Sequence, residues 1–488
     1  MNMRHLFLCL SLLLAPAQAQ SFTPSAEQVS EPFELTYGFE VLGKKQSTIH
    51  AFHSLSLRHD IGNGFTFGQT IYSAATGDGG GLFIGGVELA KRWAIGRNTL
   101  EFSGFIGGGG GAAQVSGDGM MLRGAASLYV PIAKDFTAYG GIGYVHVTGS
   151  AISTPSFNFG ITRAIRLSLS GPNGFPATGG TSFRAIKPHL RAFIPLGSKN
   201  RSGARKLNTM YLPGAELTFG RVGKAETFIT ASGAAAGDGE GFAEWQLGRR
   251  WHAQIGPIRA FGEASAGFAG GGDVDTGGGI VVSAGGGFAV PLGRAFELEF
   301  GATGIAAVEG GFAAVSPFLR GSFAFGGTRG RAPSKPSRKW QISTGLTAQI
   351  PHTGYRKAGK SDAIMPVLIE TNIDIFLTER LYFMGSAQTV MLGDAGGYAV
   401  GLMGAGYELP LSRNWYLSGE LHVGAAGGGG VQTLGGLMAG GRLELDYALP
   451  SGVRISGGIG YLQTIKSGVG AKPITVQLGL KLPFKTHY

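Results

Sequence analysis

The sequence contains one cysteine, Cys9, and it lies within an apolar segment near the N-terminus. This segment, Leu6 to Leu14, follows the basic residue Arg4 and precedes an A-x-A tripeptide at residues 17–19. A short basic region, a short apolar run and such a tripeptide are typical of a secretory signal peptide. We therefore predict a signal peptide over residues 1–19. The mature chain that it leaves has no cysteine, which excludes disulfides, thiolate catalysis and cysteine metal sites.

Charged residues and long apolar runs are also scarce. Charged residues make up 15% of the chain, compared with about 25% in soluble domains, and the mean hydropathy is slightly positive. Beyond the signal peptide no run of about 18 apolar residues occurs, so the sequence predicts no transmembrane helix. An exported chain that is apolar on average and has no helical span fits a closed β-barrel, which satisfies all its backbone groups inside lipid.

Apolar residues instead alternate with polar or small residues, which is the pattern of a strand with one apolar face. Examples are the stretches 33–41, 415–423 and 474–484. Several stretches have the length of about nine to eleven residues that a tilted transmembrane strand needs. The last stretch resembles the C-terminal targeting strand of Gram-negative outer-membrane β-barrel proteins, which ends on an aromatic residue. Here Tyr488 provides the aromatic terminus, four residues after Phe484.

The resemblance to outer-membrane β-barrel proteins covers the whole mature chain as a pattern and includes no motif of one particular family. It implies an all-β fold, a transmembrane antiparallel β-barrel, in the cell outer membrane of a Gram-negative bacterium. A soluble periplasmic antiparallel β-protein, whose strands also alternate, is the alternative. The 88 glycines favour the barrel, because glycine weakens isolated strands but helps a barrel to curve and close.

Three copies of one unit follow one another along the chain. A Gly-Asp motif occurs at Gly77-Asp78, Gly237-Asp238 and Gly393-Asp394, with spacings of 160 and 156 residues. Glycine clusters follow the motifs, at residues 107–111, 270–272 and 427–430. Each unit divides into eight alternating stretches. This division predicts β repeats over residues 20–175, 176–335 and 336–488 and about 24 strands, an even number as in bacterial barrels.

Two architectures fit three eight-strand repeats. We favour a single barrel of about 24 strands, wide enough for an aqueous or plugged lumen, because single chains that carry several separate barrels are rare. The alternative is three tandem eight-stranded barrels with interiors filled by side chains. In either case a periplasmic N-terminus places the short even-numbered turns, which are rich in turn-forming residues, on the periplasmic side. The odd-numbered turns then face outward.

Basic residues recur in the first outward turn of each repeat, in a chain whose net charge is +11. They are Lys44 and Lys45 in the first repeat, Lys199, Arg201, Arg205 and Lys206 in the second, and Arg356, Lys357 and Lys360 in the third. Basic turns near a membrane contact anionic head groups. The expected partners are therefore outer-membrane lipids and lipopolysaccharide, with a polysaccharide or a secretion partner as further candidates. Nucleic acid is excluded, because no basic helix or aromatic-interleaved basic stripe occurs.

Four glutamates are candidates for charges inside a lumen. Glu297 and Glu299 share one face of a strand. Glu263 and Glu420 take equivalent places in the second and third repeats, where the first repeat has Phe105. We expect these carboxylates to be lumen charges rather than a pair of catalytic acids.

No catalytic, cofactor or metal site is predicted. The histidines and serines between residues 50 and 59 do not share one strand face, as a catalytic triad would require. Asp273 and Asp275 resemble the start of a calcium loop but lack its later glutamate.

The sequence therefore favours an outer-membrane channel or export pore of unknown solute, in which short outward turns leave the lumen open. The second hypothesis is a non-conducting surface or scaffold protein that binds polysaccharide or lipopolysaccharide through its basic turns. A lipid-modifying enzyme of the outer membrane comes third, since no catalytic set supports it.

Overall fold

The computed structural model describes residues 31–43, 48–77, 79–111, 115, 117–167, 169–170, 182–219, 225–293, 296–325 and 337–487. The predicted signal peptide, Lys44, Lys45, Asp78 and Tyr488 lie outside the described residues. Within the described ranges the chain forms 26 strands and no helix, and so contains no helix that could cross a membrane. The all-β prediction is confirmed for this part of the chain.

The first repeat contributes eight long strands. They are β1 (Glu31–Leu42), β2 (Ile49–Gly62), β3 (Phe65–Gly77), β4 (Phe83–Ile95), β5 (Asn98–Gly110), β6 (Met120–Ala133), β7 (Phe136–Val147) and β8 (Ser153–Leu167). Each strand pairs with the next one, and β8 returns to pair antiparallel with β1 along the full length of β1. The first repeat therefore closes into an eight-stranded antiparallel barrel.

The second repeat forms a barrel of the same kind. A two-residue strand, β9 (Leu169–Ser170), precedes it, and its own strands are β10 (Phe183–Pro195), β11 (Met210–Phe219), β12 (Ala225–Gly233), β13 (Ala236–Gly237), β14 (Ala243–Ile255), β15 (Ile258–Gly270), β16 (Ile280–Pro291), β17 (Phe296–Ala307) and β18 (Ala313–Ala324). Strand β10 pairs with both β11 and β18, which closes the sheet. The short β13 only extends the pairing of β11.

The third repeat closes in the same way. Its strands are β19 (Ser337–Ile350), β20 (Val367–Phe376), β21 (Leu381–Leu392), β22 (Ala399–Pro410), β23 (Trp415–Gly427), β24 (Leu437–Ala448), β25 (Arg454–Thr464) and β26 (Ile474–His487). Strand β19 pairs with β20 and with β26. Strand β9, from the end of the first repeat, adds two residue pairs to the C-terminal end of β26.

Strand pairing corrects the favoured prediction of one 24-stranded barrel, because the described strands form the alternative, three tandem eight-stranded barrels. In a single large barrel β8 would pair with β10, and β18 with β19. Instead the first and last strands of each repeat pair with each other. Closure within a repeat leaves no long strand edge free to join a neighbouring repeat.

Each barrel has polar side chains inside and apolar side chains on its outer wall. In β1, Thr36 and Glu40 are buried inside, whereas Tyr37 and Val41 are exposed on the outside. Exposed apolar residues of the other two barrels include Leu190, Phe288, Leu319, Leu421, Leu443 and Leu478. A water-soluble barrel has the opposite distribution, with its apolar side chains in the core.

The two ends of the barrels differ in their connections. At the end where each repeat begins, hairpins close in short turns such as Asn63-Gly64, whose φ angles of 54° and 74° suit a type I′ turn. These are the even-numbered turns, which the sequence predicts to be short. At the opposite end the connections include the Gly-Asp motifs, the glycine clusters and the basic turns. We call these ends the turn end and the loop end.

Candidate functional site: the barrel interiors and the loop end

A network of ion pairs crosses the interior of the first barrel. Arg58, which is 2% exposed, contacts Glu101 at 2.8 Å, and Arg92 contacts the same carboxylate at 2.6 Å. Arg123 contacts Glu40 at 2.6 Å. These side chains come from five of the eight strands. The cavity that remains among them has a volume of about 20 Å³, enough for about one water molecule.

Arg250 is the centre of the network in the second barrel. Its side chain is fully buried, and its two terminal nitrogens donate to the two oxygens of Glu216, each at 2.7 Å. Its Nε donates to Glu263 at 2.8 Å, and Glu263 also pairs with Arg320. The ring of Phe228 lies 4.7 Å from the guanidinium. Glu263 therefore lies inside a closed barrel, held between two arginines.

Glu297 and Glu299 also lie inside the second barrel. Glu299 is fully buried and contacts the Lys187 ammonium at 2.8 Å. Glu297 lies at the turn end, where it pairs with Arg259. Both carboxylates are thus neutralised by cations of the same barrel.

The third barrel has a comparable network around Arg442. The Arg442 guanidinium contacts Glu370 at 2.6 Å and Glu420 at 2.8 Å. Glu420 also accepts a hydrogen bond from Tyr382 at 2.8 Å. The fourth glutamate singled out from the sequence is therefore an interior ion-pair partner as well.

Strand register corrects one alignment between the repeats. Strands β5, β15 and β23 each end on a glycine, and seven residues earlier they carry Ser103, Glu263 and Glu420. Ser103, and not Phe105, is therefore the counterpart of the two glutamates. Its hydroxyl accepts a hydrogen bond from Arg123 at 3.0 Å.

Glycines that face inward make room for large side chains. A Cβ placed on Gly86 would lie 2.8 Å from the Phe105 ring, and one placed on Gly406 would overlap the Tyr382 ring. Aromatic rings thus occupy space that a smooth, glycine-lined wall would have left open.

An apolar cluster fills the loop end of the first barrel. The loop residues Leu82 and Ile152 are at most 2% exposed, and they pack with Phe52, Ile84 and Val147 of the barrel wall. The loops therefore fold into the mouth of the barrel instead of standing clear of it.

The other two barrels have equivalent clusters, and we call all three the loop-end plugs. In the second barrel the rings of Phe193, Phe242 and Phe312 lie about 6 Å from one another. In the third barrel Tyr355 and Tyr398 are fully buried in the cluster. The sequence predicted short outward turns that leave the lumen open. The described loops do not have this arrangement, because their apolar side chains fill the mouths of the barrels.

The three barrels meet at their loop ends through one repeated contact between glycines. The contacting pairs are Gly81 with Gly270, Gly241 with Gly427, and Gly397 with Gly110. The first barrel thus contacts the second, the second contacts the third, and the third contacts the first. A Cβ on Gly427 would lie 2.6 Å from the Cα of Gly241, so only glycine allows this approach. The contact closes a ring of three barrels within one chain.

This ring explains the repeated glycine motifs. The glycine that follows each Gly-Asp motif by a few residues contacts the glycine cluster of the next barrel. Backbone hydrogen bonds reinforce the contacts, from Gly80 N to Gly277 O at 2.7 Å and from Gly397 N to Gly109 O at 3.0 Å. The sequence showed the motifs and their period, but it did not show that they face one another.

Two carboxylates also join neighbouring barrels at the loop end. Asp118 of the first barrel accepts a hydrogen bond from Gly393 N of the third at 2.9 Å. Glu240 of the second barrel accepts one from Gly435 N of the third and pairs with Lys357, each at 2.8 Å. Burial acts to raise the pKa of Glu240, but the Lys357 ammonium and the Gly435 N–H outweigh it. The pKa of Glu240 is therefore lower than its ordinary value.

Acidification is expected to loosen the contact between the second and third barrels. A carboxylate with a lowered pKa stabilises the folded arrangement at neutral pH, and this stabilisation is lost as the pH falls through the lowered pKa. For an ion pair near the surface we expect a loss of about 0.2–1 kcal/mol. Spin labels on the two barrels should report a broader distance distribution at low pH. Glu240→Gln should show the broader distribution already at pH 7, whereas Glu379→Gln, at the turn end, should behave like the unchanged chain.

The basic residues predicted for the outward turns do not form one exposed patch. Arg356 is buried and donates to the carbonyl oxygen of Asp394 at 3.0 Å. Arg205 pairs with Asp238, and Lys357 pairs with Glu240 as described. Lys199, Lys206 and Lys360 are exposed at the loop end, and Arg201 is half-buried there. Lys44 and Lys45 lie outside the described residues.

No protein-family model and no curated protein sequence matches this chain. Among solved structures, OccK10 (OpdN) of Pseudomonas aeruginosa is 10% identical, with 94% of this chain and 99% of that chain covered and a TM-score of 0.21. A BenF-like porin of Pseudomonas fluorescens Pf-5 is 9% identical, with 94% of this chain and 99% of that chain covered and a TM-score of 0.23. The outer membrane protein opdK of Pseudomonas aeruginosa is 9% identical, with 93% and 98% covered and a TM-score of 0.23. Likeness at these TM-scores carries no argument about the arrangement or activity of this chain.

Proposed function

We propose that this chain is an integral protein of a Gram-negative outer membrane, in which three fused eight-stranded barrels form one unit. The observation that carries the proposal is the inverted polarity of the barrels, with buried charges inside and large exposed apolar side chains outside. Closed barrels with this polarity satisfy their backbone groups internally and present an apolar surface to lipid. The predicted signal peptide supplies the export that this location requires.

Within the membrane, we propose, the protein serves as a non-conducting scaffold that presents a joined loop end at the cell surface. The filled interiors and the three loop-end plugs support this role, because they occupy the space that a solute would need. The glycine contacts hold the three sets of loops together as one surface. The exposed Lys199, Lys206 and Lys360 would give that surface its sites for the phosphates of lipopolysaccharide or for an acidic polysaccharide.

A gated channel is the second candidate, and one observation favours it. The interior side chains are charged rather than apolar, so a path would open through exchange of ion-pair partners and displacement of a plug. The unchanged chain would then be a channel with a closed resting state. No described residue indicates which solute such a channel would carry.

Conductance in planar lipid bilayers separates the two candidates. We expect the unchanged protein to insert and to give no steady current steps, because each barrel is plugged at its loop end. The triple variant Phe193→Ala, Phe242→Ala, Phe312→Ala removes the rings of the second plug. If this variant also gives no current steps, the ion-pair networks block the path and the scaffold role is supported. Steady steps from the unchanged protein would overturn the scaffold role and establish a channel.

A further inference from the structure

An open apolar groove crosses strands β5, β6 and β7 on the outer wall of the first barrel. Its volume is about 580 Å³, and its floor includes Gly104, Gly124 and Ala126. A Cβ placed on Gly104 or on Gly124 would have no heavy atom within 4 Å. The groove therefore exists because two outward-facing residues have no side chain, and it is not closed by any neighbouring strand of the described chain.

Three large side chains border the groove. Phe102, Ile142 and Tyr144 are 50%, 70% and 49% exposed. Strand register aligns Phe102 with Ala126 and Ile142, and aligns Gly104 with Gly124 and Tyr144. The groove thus has an apolar floor between apolar walls, which is the shape and chemistry that an extended hydrocarbon chain requires.

The turn end of strands β5 to β8 carries exposed cations. Arg97, Lys134 and Arg163 are exposed there, and the Arg163 guanidinium lies 5.5 Å from the Phe136 ring. In contrast, the loop-end connections of these strands, residues 111–119 and 148–152, contain no basic residue. Positive charge therefore borders only one end of the groove.

Aromatic side chains link the groove to this turn end. Trp93 lies 5.6 Å from Phe102 in an edge-to-face contact, and the Lys91 ammonium lies 5.7 Å from the Trp93 ring. Exposed tryptophans occur towards the turn end of the other barrels too, at Trp251 and Trp415. Tryptophan beside lysine or arginine is the composition of a membrane protein at the level of the lipid head groups.

The described connections of all three barrels differ in charge in the same direction. Those at the turn end contain four basic and two acidic residues, whereas those at the loop end contain nine basic and eight acidic residues. Among the described residues, acidic side chains therefore balance almost all the positive charge at the loop end but only half of it at the turn end. Anionic head groups are attracted to such a surface.

From these features we infer that the first barrel binds a phospholipid with an anionic head group on its outer wall. One acyl chain lies in the groove over Gly104 and Gly124, and the head-group phosphate lies near Arg97, Lys134 and Arg163. The inference rests on the proposed membrane location. Lipopolysaccharide fits the groove less well, because its phosphates would lie at the loop end, where strands β5 to β8 offer no cation.

The test is lipid retention by the full chain, inserted in vesicles of phosphatidylethanolamine and phosphatidylglycerol, extracted in mild detergent and examined by native mass spectrometry. We expect retained phosphatidylglycerol in preference to phosphatidylethanolamine. Gly104→Leu fills the groove and should lower this retention about five-fold, equivalent to about 1 kcal/mol. The matched control is Gly457→Leu, which also adds a side chain to an open outward position, but on the third barrel.

Charge variants test the position of the head group. Arg97→Gln, Lys134→Gln, Arg163→Gln should remove the preference for phosphatidylglycerol, whereas Lys199→Gln, Lys206→Gln, Lys360→Gln at the loop end should leave it unchanged. Equal retention in Gly104→Leu and Gly457→Leu would overturn the groove site, and equal retention of the two lipids would overturn the head-group assignment. Failure of the unchanged chain to insert into vesicles would instead contradict the proposed membrane location.

Discussion

Replacing Arg250 by alanine is expected to destabilise the second barrel more than any other single change considered above. The substitution removes a cation that donates two hydrogen bonds to Glu216 and one to Glu263. Both carboxylates are buried, and breaking a buried ion pair from one side costs about 3–5 kcal/mol. Urea unfolding in vesicles, followed with a fluorophore on a cysteine at Ala253, would measure the loss.

Two further variants show whether the effect comes from the lost ion pairs. Arg413→Ala removes an exposed cation in a turn and should change the free energy of unfolding by at most about 0.5 kcal/mol. Combining Arg250→Ala with Glu216→Gln should recover part of the stability, because the double variant no longer buries the carboxylate that has lost its two hydrogen bonds from Arg250. An Arg250→Ala effect no larger than that of Arg413→Ala would show that the interior is hydrated, and hence that the barrel is not filled as described.

Replacing Gly427 by valine is expected to separate the second and third barrels at their loop ends. The new side chain would collide with the backbone of Gly241, which cannot move away without opening the contact. We expect a cost of about 1–3 kcal/mol, as for other over-packed sites. Cys9 is the one cysteine of the sequence and lies in the predicted signal peptide, so a pair of spin labels can be placed on the two barrels once Cys9 is replaced by serine. Their distance distribution should become longer and broader.

The control for this prediction is Gly457→Val, which adds the same side chain where no heavy atom lies within 4 Å. It should leave the distance distribution unchanged. If Gly427→Val also leaves it unchanged, the glycine contact is not what holds the barrels together.

Strands and turns could be predicted from the sequence because both depend on local patterns. The alternation in β1 and β26 identified strands, and turn-forming residues predicted short even-numbered turns, one of which the structure places at Asn63-Gly64. The number of barrels could not be predicted in this way. Closure depends on whether β8 meets β1 or β10, and the alternating pattern of each strand is compatible with either partner. The rarity of chains with several barrels therefore led to the wrong choice between the two architectures.

The candidate site was predictable in its residues but not in its role. Glu263, Glu299 and Glu420 could be placed on inward faces from their spacing, yet their arginine and lysine partners lie on other strands, at separations that sequence patterns do not reveal. The loop-end plugs were missed because Leu82, Phe242 and Tyr398 each follow a glycine in a loop, where an apolar residue has no periodic pattern. An apolar or aromatic residue follows directly after each of the interface glycines Gly81, Gly241 and Gly397, and this recurrence could have indicated the plugs.

Disulfide cross-linking of paired cysteines tests most directly whether the 24 long strands close three times. The within-repeat pairs are Phe39→Cys with Phe159→Cys, Leu190→Cys with Leu319→Cys, and Leu346→Cys with Leu478→Cys, all of which lie opposite each other on paired strands. The between-repeat pair is Phe159→Cys with Leu190→Cys, on β8 and β10, which are neighbours only in a single large barrel. Three closed barrels predict that all three within-repeat pairs form disulfides in the membrane and that the between-repeat pair does not. A between-repeat disulfide in the absence of the within-repeat ones would contradict the three-barrel structure.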